Sequence, residues 1–175
     1  MGIKTKLTGS GCTLVLVIAA FFQTAGEGTK VSEEGLTHLI ECEGCTKQPY
    51  IDIAGVPTDG VGNTRGVVMG KLITDEKVGR DLGKHVLEAE ACLRRNVKVE
   101  MTQGEYDAWV SFIHHKGCGA FAGSTGRKLL NEGKHLQACR AMLMWDKITV
   151  KGKKVFSQGV YNRSAKDAKL CEKNL

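Results

Sequence analysis

Between Thr74 and Asn96, Val78, Leu82, Val86, Ala89 and Leu93 recur every three or four residues. That period is one face of an α-helix. Thr74 starts it, Asp75 and Glu76 suit its positive end, and Arg94 and Arg95 suit its negative end. At 1.5 Å per residue it would run roughly 35 Å. A helix of that length, set between two stretches of different composition, favours two lobes with a long connector.

The two flanks differ. Upstream, Ser32 opens a shorter helix with Glu33 and Glu34 in its first turn. Leu36, Leu39, Ile40 and Glu43 then fall at i, i+3, i+4 and i+7, so Glu43 takes the last place on an apolar stripe. "YIDIAGVPTDGVGNTRG" follows, with Pro57 and several glycines, and reads as short strands and tight turns. Downstream, Thr102 and Glu105 have capping-box spacing and open a helix with Tyr106, Trp109, Val110 and Ile113 on one face. "GCGAFAGSTG" breaks it. Further helices are expected over Gly126–Asn131, His135–Trp145 and Arg163–Cys171, with "VKGKKVFSQG" as a loop. The expected class is α+β, with no internal repeat.

The 175 residues suffice for a domain with a real core. A formal charge of +6 favours anionic partners such as cell walls or membrane surfaces. No Lys/Arg run or basic-aromatic stripe points to nucleic acid. Seven cysteines suit an oxidising compartment, and the odd number leaves at least one outside any intramolecular pair. Lys4 and Lys6 precede the apolar run Cys12–Phe22, the order of an export signal. The run is shorter than the roughly 20 residues that span a bilayer comfortably, and no small-x-small cleavage site follows. A marginal anchor that enters the bilayer and later leaves it is favoured. A cleaved signal, a stable anchor and a buried core helix are the alternatives; the N-terminal position behind lysines argues against the last.

Glu43, Asp52 and Thr58 are the candidate chemical groups. Eight residues lie between the first two and five between the second two. On a helix end and a hairpin they can face one another. A carboxyl on an apolar stripe is expected to keep its proton more easily, as a general acid must. Sugar cleavage needs such an acid and a second carboxylate for water or the cation-like centre. A hydroxyl can help hold the water.

The surrounding residues resemble the catalytic segment of the T-even-type phage lysozymes. That family's pattern is matched by Glu43-Gly44, by Tyr50-Ile51-Asp52 and by the run Gly55, Thr58, Gly60, Gly62. The resemblance continues through Thr102–Phe112, Gly119–Gly133, Trp145 and Gly159–Leu170, and covers about residues 32 to 171. It implies Glu43 as general acid, Asp52 positioning the nucleophilic water and Thr58 assisting. It also implies a two-lobed lysozyme fold: a small β-hairpin lobe (28–73), a connecting helix (74–96) and a helical lobe (97–175). The implied substrate is peptidoglycan, cut between N-acetylmuramic acid and N-acetylglucosamine by a monomer without cofactor or metal. Asp59, Asn63, His114, His115 and Ser164 depart from the family's usual residues.

Cys42 and Cys45 flank Glu43 at i, i+3, where Cβ atoms on a helix lie roughly 5–6 Å apart. A disulfide wants them near 4 Å, so a bond there would distort the helix end and exchange readily. Cys12, released from a bilayer, is the expected exchange partner; Cys42 is its favoured target and Cys45 the alternative. This is similar to the signal-anchor-release class of phage endolysins. The similarity implies export by the host secretion machinery, tethering to the inner membrane through residues 9–27, and later release into the periplasm. Cys92, Cys118, Cys139 and Cys171 allow three pairings, of which Cys92–Cys118 with Cys139–Cys171 is favoured. A thiol oxidoreductase or zinc module fits the Cys-x-x-Cys less well, since neither a βαβ pattern nor a second ligand pair surrounds it. A wall-binding protein without catalysis would be indifferent to Glu43→Gln.

Overall fold

The computed structural model describes residues 11–52, 55–150 and 152–175, so Lys4 and Lys6 lie outside the described residues. The chain divides into two compact units, one ending at Glu88 and the other covering Ala89–Leu175. The fold mixes helices with two small antiparallel sheets and is of the expected α+β class, the first sheet being the expected hairpin.

In the first unit, helix α1 (Leu14–Ala25) and helix α2 (Glu33–Glu43) precede an antiparallel hairpin of β1 (Thr46–Ile51) and β2 (Pro57–Gly60). Helix α3 (Asp75–Asn96) begins here and carries the chain into the second unit. Ser32 caps α2 by accepting the Gly35 N–H at 3.0 Å, and Gly44, at φ 77°, closes it by donating to the Ile40 carbonyl. Leu36, Leu39 and Ile40 are buried, as their periodicity required.

The apolar run forms α1, whose Val17 and Phe21 are fully buried in this unit, so in the folded chain it packs as a core helix. Gly79 and Gly83 on α3 explain the fit, because they offer no side chain to the α1 residues Val17, Ala20, Phe21 and Thr24. The Thr13 N–H also donates to Asp75 Oδ1 at 3.1 Å. Among the described residues, no helix is long and apolar enough to cross a membrane.

The second unit contains α4 (Gln103–Lys116), α5 (Cys118–Ala122), α6 (Thr125–Asn131), α7 (His135–Arg140), strands β3 (Lys147–Val150) and β4 (Lys153–Phe156), and α8 (Gln158–Cys171). The capping box at the start of α4 is complete: Thr102 Oγ accepts the Glu105 N–H and Glu105 Oε2 accepts the Thr102 N–H. Trp109 sits at the centre of the core, with ring centroids 5.4 Å from Phe112 and 5.3 Å from Phe121. Gly126 lies against the Trp109 ring, where a Cβ would overlap it. Disulfides join Cys92 to Cys118 and Cys139 to Cys171.

Three expectations are corrected here. The segment read as a loop is a hairpin, with Ile148 opposite Val155 and a turn that uses Gly152 at φ 77°. Its β-branched residues alternate over too short a span to stand out from the lysines. Helix α8 starts at Gln158, not Arg163, because Ser157 supplies a cap, accepting the Val160 N–H. The helix expected over His135–Trp145 ends at Arg140 and tightens into a 3-10 turn, Ala141–Met144.

Tyr106 tests how this core tolerates charge. Its hydroxyl donates to Glu90 Oε1 at 3.1 Å, and Glu90 is fully buried. Burial, and then the Glu90 carboxylate, push the phenol well above its ordinary pKa, so it stays a donor. Tyr106→Phe removes a bond to a buried carboxylate. It is expected to lower unfolding free energy by about 1–3 kcal/mol. In urea this would be read as a lower midpoint at unchanged slope.

Candidate active site

Glu43 is the last residue of α2, half-buried at the end of the apolar stripe, and Gly44 turns the chain directly after it. Its carboxylate faces the glycine turn after β2: a Cβ on Gly62 would lie 3.8 Å from Glu43 Oε2. Gly62 itself has φ 66°. The turn thus needs glycine for its backbone, and a side chain there would stand at contact distance from the acid.

Asp52 and Thr58 are brought together through one residue. The Val56 N–H donates to Asp52 Oδ1 at 2.8 Å, while the Thr58 hydroxyl donates to the Val56 carbonyl at 3.0 Å. The register Tyr50↔Thr58 and Ile51↔Pro57 sets both at the same end of the hairpin. Asp52 is half-buried and Thr58 is buried. Because the Thr58 proton is committed to a carbonyl, its oxygen meets any further partner as an acceptor.

Behind Thr58 lies a buried network. Asp59 and Asn63 exchange both backbone bonds at 2.9 Å, and Asn63 Nδ2 donates to Asp59 Oδ1 at 2.7 Å. His85 Nε2 donates to Asn63 Oδ1 at 3.1 Å, and Lys77 Nζ stands 3.8 Å from Asp59 Oδ2. These bonds fix the Gly60–Gly62 turn opposite Glu43. The sequence marked Asp59 and Asn63 only as departures and missed Lys77 and His85. His85 falls one residue before Val86 on the α3 stripe, which was the available signal.

The cysteines require a correction. Cys12 is bonded to Cys45, not to the favoured Cys42, with Cα atoms 5.9 Å apart. Backbone pairing decides it: Gly11 bridges Thr46 in antiparallel fashion, so the adjoining residues Cys12 and Cys45 face each other. Cys42 carries a free thiol, half-buried, with Sγ 3.7 Å from His38 Nε2. Among the described residues, no cluster of three or more His, Cys, Asp or Glu could hold a metal ion.

Comparison with known proteins agrees with this architecture. The family profile described as phage lysozyme matches residues 40–167. A SAR-endolysin of Haemophilus phage HP1 is 35% identical over 174 residues, covering 91% of this chain and 93% of the relative. The crystal structure of the active form of the P1 phage endolysin Lyz aligns with a TM-score of 0.80 at 26% identity, covering 93% of this chain and 95% of that one. The secreted inactive form of the same endolysin aligns with a TM-score of 0.53 at 27% identity, covering 81% of this chain and 95% of that one. The profile match begins inside α2 and ends inside α8, and so takes in Glu43, Asp52 and Thr58: the chain belongs to the phage lysozyme family, and it is a glycoside hydrolase of the lysozyme type.

Proposed function

We propose that this chain is an endolysin in which Glu43 is the general acid, Asp52 positions the attacking water, Thr58 assists, and a thiol exchange decides when Glu43 can work. The lysozyme family acts on peptidoglycan, so the bond cut is the β-1,4 link between N-acetylmuramic acid and N-acetylglucosamine. Glu43 would protonate the departing glycosidic oxygen, and Asp52, oriented by the Val56 amide, would hold water at the anomeric carbon.

The observation that carries the switch is the bonding pattern around the acid. Cys42, adjacent to Glu43, is free, while Cys45 is bonded to Cys12 on the segment leading into α1. The inert form would hold a Cys42–Cys45 bond across Glu43. The Cys12 thiolate would attack Cys45 Sγ, forming Cys12–Cys45 and expelling Cys42 as a thiolate that then takes a proton. The count of disulfides is unchanged, so no oxidant is needed. His38 Nε2 is placed to supply that proton or a hydrogen bond. The better agreement with the active P1 endolysin than with its inactive form supports assigning this bond set to the working state.

Before exchange, residues 9–27 would hold the exported chain in the inner membrane, facing the periplasm. The name of the Haemophilus phage HP1 relative supports this stage, as does the apolar run itself. To span about 30 Å, the segment would have to extend the helix beyond the 12 residues of α1. On release, α1 would dock as described and the enzyme would act as a monomer in the periplasm.

Cys12→Ser tests this reading. The full-length variant, oxidised and released, is expected to clear peptidoglycan at least about 100-fold more slowly than the parent, since an obstructed general acid forfeits its contribution. Peptide mapping should find Cys42–Cys45, and a reductant should restore activity. A variant as lytic as the parent without reductant would sink the switch but leave the enzyme assignment standing.

A further inference from the structure

The β3–β4 hairpin has no role in the chemistry above, and all eight of its strand residues are exposed. Its register pairs Ile148 with Val155 and Val150 with Lys153. Side chains alternate across a strand, so these four share one face. The three aliphatic residues on it are 40%, 46% and 44% exposed, respectively. The opposite face carries Phe156, whose ring lies 6.1 Å from Tyr161 of α8, so that face is the one turned toward its own unit. From Lys147 to Ser157 the sequence has four lysines and no acid.

Lysines on an exposed edge are a common guard against strand pairing. That accounts for the charge but leaves the row of β-branched aliphatics in water unexplained. A polysaccharide would want hydrogen-bonding side chains or an aromatic platform, and this face offers only Lys153. Aliphatic side chains flanked by long cationic ones match the boundary of an anionic bilayer, where acyl chains meet phosphates. Lys153 shares that face and is long enough to reach phosphate while its stem lies along the apolar surface; Lys154, on the other face, adds positive charge within a Debye length of it. We propose that this hairpin docks the folded enzyme on anionic phospholipid. The contact is separate from the N-terminal segment and depends on neither catalysis nor thiol exchange.

The test uses the purified full chain with its Cys12–Cys45 bond, sedimented with vesicles of phosphatidylglycerol and phosphatidylethanolamine or of phosphatidylcholine alone. The parent is expected to bind the anionic vesicles selectively, and less so as salt rises. Ile148→Ser/Val155→Ser and Lys153→Glu/Lys154→Glu should each weaken that binding about tenfold or more. Both should keep parental turnover on lipid-free peptidoglycan, which controls for folding. The proposal is overturned if the parent ignores anionic vesicles, if it binds phosphatidylcholine equally, or if both variants bind like the parent. It is also overturned if the variants keep vesicle binding but lose turnover on lipid-free peptidoglycan, which would make the hairpin a glycan contact.

Discussion

Glu43→Gln is expected to lower the turnover of purified peptidoglycan by about 10²–10⁴-fold, the usual worth of a general acid. The substitution keeps the volume and the half-buried place at the end of α2 and removes only the ionisable proton. The Ser32 cap lies at the other end of α2, and Gln keeps the side-chain shape beside Leu39 and Ile40, so circular dichroism and the thermal midpoint should stay close to the parent's. The loss should fall on kcat, because proton donation matters in the transition state and not in substrate binding. Parental kcat in a folded Glu43→Gln protein would remove Glu43 from the mechanism.

Gly79→Ala is expected to strike the formation of the Cys12–Cys45 bond. A Cβ at this position would lie 2.6 Å from Ala20 Cβ and 2.8 Å from the Phe21 backbone nitrogen, distances that real Cβ atoms do not tolerate. Most of the crowding is against backbone, so α1 itself would have to move. Overpacking of this kind costs about 1–3 kcal/mol or more, against a helix-propensity gain of roughly 1 kcal/mol for replacing Gly. Displacing α1 also displaces Cys12, whose approach to Cys45 relies on the adjoining Gly11–Thr46 bridge. Mapping of the oxidised protein should show a large drop in Cys12–Cys45, with activity recovered by reductant. Gly83→Ala should be milder, since its Cβ would crowd the Thr24 side chain at 3.3–3.4 Å and meet the Phe21 carbonyl only at an ordinary 3.7 Å. Wild-type levels of Cys12–Cys45 in Gly79→Ala would show that the docked α1 does not guide the exchange.

What the sequence disclosed was what local chemistry writes down. The α2 and α3 stripes, the Thr102–Glu105 capping box and the strand-turn character after Cys45 each repeat or close within a few residues, and the structure has all of them. The β3–β4 hairpin was missed because two four-residue strands leave little periodicity. The partner of Cys12 was misjudged for a different reason. Proximity in sequence and helix spacing say nothing about a backbone bridge between residues 35 positions apart, and it is that bridge which selects Cys45. Likewise Asp59, Asn63, Lys77 and His85 are unremarkable one by one. Only the packing of α3 against the turn after β2 makes them a network.

Ala20 sits where α1 meets Gly79, with no room for a larger side chain. A helix that must lodge there is denied Leu, Ile or Phe at a position where a lipid-dwelling segment would gain from them. On the membrane-first scheme proposed above, the composition of Leu14–Ala25 would be a compromise between two solvents. Mutations that made the segment greasier at this point would lengthen any stay in a bilayer and, by the same change, spoil the seat waiting for it in the folded enzyme. On that scheme, selection acting on lysis timing would have, at this residue, very few letters to choose from.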